Sequence, residues 1–179
     1  PKLISLKYFF TRKLMFIKES SATVLFPGGF GPLDEGFENM TLFQTGKSMP
    51  RPILLVEPQN GCYWKNWLHH MKTDLLENGY IGENDLKLFH ISNSVKDSVQ
   101  YILDFFRVYH SLRYVKGLTV IRLTRELSPS RIDRLNAEFK DIVRDGTIRV
   151  SPPLPEELLK NEYPSMPRLV FNFNKCNFG

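Results

Sequence analysis

The stretch ATVLFPGGFGPLDEGFE, residues 22–38, decides the fold: an apolar run enters three closely spaced glycines and leaves as an acidic segment of helical character. It reads as a strand over residues 23–26, a tight turn, and a helix over residues 33–44. A helix that starts straight after a strand leaves its first N–H groups unpaired, and the helix dipole favours an anion there. Gly28, Gly29 and Gly31 let such a backbone approach a phosphate closely and adopt positive φ. Taken alone, a glycine-rich turn of this kind is plain turn chemistry more often than a nucleotide site. Pro32 stands as the first helical residue, where proline is comfortable. Asp34 and Glu35 then fall in the first turn, where carboxylates stabilise the dipole whatever the function. With Leu33, Phe37 and Met40 as the buried face, Glu35 points away from the core and is free to face a cleft at the strand's carboxyl end.

Outward from this stretch, apolar runs alternate with amphipathic ones, the pattern of βα units feeding a parallel sheet. Residues 8–19 read as a helix before the first strand, and ILLVE (53–57) as a second strand set among Pro50, Pro52 and Pro58. Trp64, Trp67, Leu68, Met71 and Leu75 repeat at helical spacing, a core stripe that stops at Gly79. LKLFHIS (86–92) reads as a strand, and Val95, Val99, Ile102 and Phe106 as a helix capped from Ser92, Asn93 or Ser94. Around Ser111 the pattern changes. LTVIRLTREL (118–127), TIRVS (147–151) and RLVFNFN (168–174) read as strands, and residues 128–146 as a helix capped at Ser128 or Ser130. The fold class expected is α/β, a Rossmann-like parallel sheet with helices on both faces over residues 1–111, of which only the C-terminal half is present, plus a small α+β extension over residues 112–179.

With 42% apolar and 24% charged residues the composition is that of a globular protein, and no apolar run approaches the roughly 18 residues of a membrane helix. The net charge of +5 suits anionic ligands, but the basic residues mingle with acidic ones along the whole chain, so nucleic acid is a weak expectation. Cys62 and Cys176 are isolated, which argues against a disulfide framework or zinc site and suits a reducing cytoplasm. An opening on Pro1 without Met, and an alternation cut short at Gly179, read as a fragment.

PGGFGPLDE (27–35) resembles the PGGxGTxxE signature of the LOG (Lonely Guy) family, which has long carried a lysine decarboxylase label. RKLMFIKESSATVLF (12–26) is similar to that family's Arg-Lys-x-x-Met helix and following strand. The resemblance continues through LFQTGKSMPRPILLVEPQNGCYWKNWLHHM (42–71) and covers roughly residues 10–106. It implies a Rossmann-like nucleotide-binding fold and metal-free, cofactor-free phosphoribohydrolase chemistry: a nucleoside 5′-monophosphate is cleaved to free base and ribose 5-phosphate. Carried over by motif position, Glu35 is the catalytic carboxylate, Arg12 the catalytic or substrate-orienting cation, and Gly28, Gly29, Gly31 and Pro32 form the phosphate loop. Lys13 and Glu38 are supporting candidates, each equally readable as a solvated helix charge. The resemblance further implies a homodimer when full length, and a preceding βα unit with its own phosphate contact, so that activity is expected of the full-length protein and not of this fragment alone. Pro32 departs from the family's Thr, removing a hydroxyl and a backbone N–H from the loop. That departure keeps open a second reading, a nucleotide-binding module without turnover.

Other features carry less. His69, His70 and His90 lack metal-ligand spacing, and Cys62 has no arrangement that marks a nucleophile. No lysine stands in a context that would bind pyridoxal phosphate as a Schiff base, so the decarboxylase label is set aside. Arg122, Arg125, Arg131 and Arg134, interleaved with Asp133, Glu138 and Asp141, read as a solvated face rather than a basic patch.

Overall fold

A computed structural model describes residues 5–174; Cys176 and both chain ends lie outside them. At the centre of the first sheet is β2 (Ile53–Val56), buried along its whole length. The continuous apolar run follows from its position, since parallel neighbours occupy both edges: β1 (Thr23–Leu25) on one side and β3 (His90–Ser92) on the other. The register sets Thr23 against Ile53, and Leu54 against His90.

Three helices accompany this sheet: α1 (Phe9–Glu19), α2 (Phe30–Gln44) and α3 (Tyr63–His70). α2 starts three residues earlier than its apolar pattern suggests, with Gly29 as N-cap. Pro32 is thus the third helical residue, still among the four positions whose N–H has no intrahelical acceptor, so it costs the helix no hydrogen bond. Asp34 and Glu35 consequently lie in the second turn, and the first turn is without acidic residues. The buried face is also shifted. Gly36 and Asn39 are buried and Phe37 is exposed, because α2 approaches β1 at Gly36, where an added Cβ would meet Leu25 Cδ1 at 2.9 Å. Leu33 packs against the cluster of Leu25, Leu55 and Trp64.

The aromatic stripe of α3 is core, with Trp64 and Met71 buried, but the α-helix passes at Met71 into a π-helical turn (Met71–Leu76). Gly79, at φ +74°, takes the left-handed conformation that ends it. The strand expected from Leu86 begins only at His90. Residues Glu83–Lys87 form a 3-10 turn, which the Asp85 carboxylate closes by accepting the Gly82 N–H at 2.7 Å. In α4 (Val95–Phe106) the inward residue is Ser98, hydrogen-bonded to Ser92, while Val95 and Val99 are exposed.

The chain divides into two compact units inside α4, between Val99 and Gln100. The second contains an antiparallel sheet in the order β4 (Tyr109–Val115), β5 (Leu118–Leu123), β7 (Arg168–Phe173), β6 (Val143–Ser151). α5 (Pro129–Glu138) starts at the Ser128 cap and packs Ile132 and Leu135 on Leu123, Ile148, Leu169 and Phe171. It is shorter than its sequence pattern: Phe139 is exposed, and residues 143–146, expected in the helix, belong to β6. The Pro-rich link contains α6 (Pro155–Leu159). Arg122, expected on a solvated face, is buried between strand neighbours and bonded to Glu157. No helix among the described residues is long and apolar enough to cross a membrane.

Candidate functional site

The glycine turn is held from α3. Tyr63, its first residue, donates its hydroxyl to the Gly28 carbonyl at 2.6 Å. Positive φ plays no part here, since none of Gly28, Gly29 and Gly31 is among the residues that adopt it. Gly28 is needed for a different reason: a Cβ on it would stand 2.6 Å from Pro32 Cγ. Around Gly29 and Gly31 nothing lies within 4 Å of where a Cβ would be, so the loop's outer side is open.

Four residues beyond Gly31, and so on the same face of α2, stands Glu35. It is half-buried in the wall of a cleft of about 210 Å³, opposite Phe16 and Ile17 of α1 and alongside Thr23 and Val24 of β1. The three glycines do not line this cleft. Desolvation by these neighbours raises the Glu35 pKa above the ordinary carboxylate value; the cations Lys13 and Arg12 oppose the rise, and Glu38 and Asp34 add to it.

α1 thus brings one of its cations, Lys13, onto the carboxylates of α2. Lys13 Nζ sits 2.6 Å from Asp34 Oδ2 and 2.8 Å from Glu38 Oε2, and hydrogen bonds to these two hold its pKa well above the usual lysine value. Lys13 and Glu38 therefore act as a cross-link between the helices. Arg12 is exposed, with its guanidinium over the Phe16 ring, 5.2 Å from the centroid, rather than on a carboxylate.

Sequence reasoning passed over three residues that build this site. Asn39 is buried and donates to the Glu35 carbonyl at 2.7 Å. Arg51 reaches Asn39 from the segment before β2. Glu57 is buried at the carboxyl end of β2 and accepts the Trp64 N–H at 3.0 Å, capping α3. An Asn in an otherwise inward-facing helical position, and a Glu ending a buried strand, are the signals that could have found two of them. Among the described residues no three His, Cys, Asp or Glu side chains gather as metal ligands would.

A model of the family described as "Possible lysine decarboxylase" matches residues 1–102, more than half of the chain. No curated protein matches it. The family match contains the whole assembly of α1, the glycine turn, Glu35 and Tyr63, and the chain belongs to this LOG-like, lysine decarboxylase-labelled family of Rossmann-fold proteins.

Proposed function

We propose that the protein hydrolyses the N-glycosidic bond of a nucleoside 5′-monophosphate, with Glu35 as the catalytic carboxylate. The observation that carries this reading is Glu35 itself, half-buried on a cleft wall and within electrostatic reach of Lys13 and Arg12 of α1. As the C1′–N bond breaks, its electron pair leaves with the base, which takes up a proton, and positive charge grows on the ribose. A carboxylate beside the anomeric carbon stabilises that charge and orients the water whose hydroxyl adds to C1′. The raised pKa suits the second task, because a more basic carboxylate accepts the water proton more readily.

The phosphate belongs at the start of α2, where the N–H groups of Gly29, Phe30 and Gly31 lie ahead of the helical ladder. Gly31 and Glu35 are about 6 Å apart along the helix axis, a separation that suits the two ends of a ribose 5-phosphate. Arg12, which lies over the Phe16 ring and forms no ion pair among the described residues, is the cation available to orient the substrate. The full-length protein acts as a homodimer, and the exposed apolar residues of α1 support this.

Incubation of the full-length protein with a panel of nucleoside monophosphates, followed by assay of ribose 5-phosphate, tests the reading. Release that Glu35→Gln lowers by at least about a hundredfold, with folding retained, is the expected result; no release from any nucleotide sinks it. Pro32 favours a second reading, a binding module without turnover, because it deletes one N–H from the loop. Nucleotide binding by calorimetry without product marks that case.

A further inference from the structure

α1 buries none of its residues, so apolar packing does little to fix its position. Two polar attachments hold it instead. One is Lys13 on Asp34 and Glu38. The other is at its carboxyl end, where Arg51 Nη1 donates to the carbonyls of Ile17 and Ser20, the latter at 3.2 Å. The same guanidinium donates through Nη2 to Asn39 Oδ1, which also accepts the Thr23 hydroxyl at 3.2 Å. Asn39 in turn donates to the Glu35 carbonyl. Ile17, Ser20, Thr23, Asn39 and Glu35 all line the cleft described above, and one side chain ties its walls together.

Arg51 is an expensive way to join two helices. It is 7% exposed, burial lowers its pKa, its Nε is buried without a hydrogen-bond partner, and among the described residues it forms no ion pair. A buried cation held only by carbonyls and an amide calls for a reason beyond stability. Its chemistry supplies one: a planar guanidinium reaches several acceptors in fixed directions, which an ammonium does not, and its charge suits the carboxyl end of α1. Pro50 and Pro52 on either side stiffen the backbone from which it projects.

We propose that Arg51 is a positioning residue for the Glu35 site: it locks the carboxyl end of α1 onto α2 and so sets Glu35 opposite Arg12 and Lys13. This rests on Glu35 being the reacting carboxylate, and the test separates the two. In the full-length protein, Arg51→Lys and Asn39→Ala are compared with the parent chain by carbon-13 titration of the Glu35 carboxyl and by ribose 5-phosphate release. In both variants, with circular dichroism unchanged, the Glu35 midpoint is expected to fall toward the ordinary carboxylate value as water enters the cleft. At the same time kcat should drop about tenfold or more while KM shifts less than about threefold. An unmoved Glu35 midpoint in folded variants overturns the proposal, and so does unfolding of both, which would make Arg51 part of the fold rather than of the site. If the parent chain cleaves no nucleotide, the hydrolase reading falls and the titration alone decides the role of Arg51.

Discussion

Gly28 and Pro32 constrain each other through bare contact. The proline ring occupies the space into which a Gly28 side chain would project, 2.6 Å from the nearest ring carbon. Gly28→Ala is expected to destabilise the chain by about 1–3 kcal/mol, the usual cost of overpacking. Pro32→Ala removes the obstructing ring atoms, so a double-mutant cycle read by thermal or urea denaturation should show much of that cost relieved. Glu35 makes a separate prediction in pH. Its folded-state pKa is raised by desolvation, so below the unfolded-state value both states are protonated and Glu35 contributes no penalty. As pH rises, the unfolded chain ionises first and the penalty on the native state grows until pH passes the folded value, above which it stays constant. Glu35→Gln should therefore equal the parent in melting temperature at low pH and match or exceed it at neutral pH; a melting temperature below the parent's only at neutral pH contradicts this.

At the scale of elements, α6 shows how a five-residue helix is retained with little apolar area. In the register of β5 and β7, Arg122 and Arg168 stand side by side, and like charges so placed repel. Glu157, fully buried on α6, resolves this by accepting from Arg122 Nε and Nη2 at 3.0 and 2.8 Å and from Arg168 Nε at 2.9 Å. Its other oxygen duty is to cap its own helix, accepting the Leu154 N–H at 3.2 Å. Burial works to raise its pKa, but the two guanidiniums and the Leu154 N–H prevail, and the net shift is downward from 4.5. The stabilisation is thus complete above the unfolded-state pKa and lost as pH falls through the lower folded value. Glu157→Gln leaves the buried Arg168 without a counter-charge and Arg122 with Glu162 alone, and should cost roughly 3–5 kcal/mol at neutral pH. Denaturation across the acid range should show the parent's advantage shrinking toward low pH.

At the scale of the whole molecule, the notable surface is apolar rather than basic. Phe9, Phe10, Leu14, Met15 and Phe16 are exposed on α1, and Phe26 and Phe30 are exposed at the two ends of the glycine turn, Phe30 at 92%. A monomer in water gains nothing from such a face, and contiguous exposed apolar patches mark interaction sites. For the proposed homodimer, sedimentation equilibrium of the full-length protein is expected to give twice its chain mass, and Phe10→Glu with Leu14→Glu to give the monomer with its secondary structure intact. A parent that sediments as a monomer at high concentration removes the dimer.

The local sequence determined the alternation of strands and helices in the first unit, the buried run of β2, the core stripe of α3 and the stop at Gly79. Each rests on short-range chemistry: periodicity, caps and glycine conformations. The motif from Pro27 to Glu35 carried the family in the same way, because its residues are contiguous. The side chains that tie elements together were decided only by the tertiary structure. Nothing in the local sequence singles out Arg51 or Asn39, while Arg122 reads as surface charge and Phe37 as core. Their roles depend on partners 12 to 40 residues away, such as Asn39 for Arg51 or Glu162 for Arg122. Even the boundary of α2 belongs to this class, since Gly29 caps it within a turn that Tyr63 holds from another helix. The sequence by itself determined which residues could do chemistry, since their functional groups are intrinsic. Tertiary structure decided which of them meet, because burial and charge pairing are set by what the chain brings near, not by what stands beside it in order.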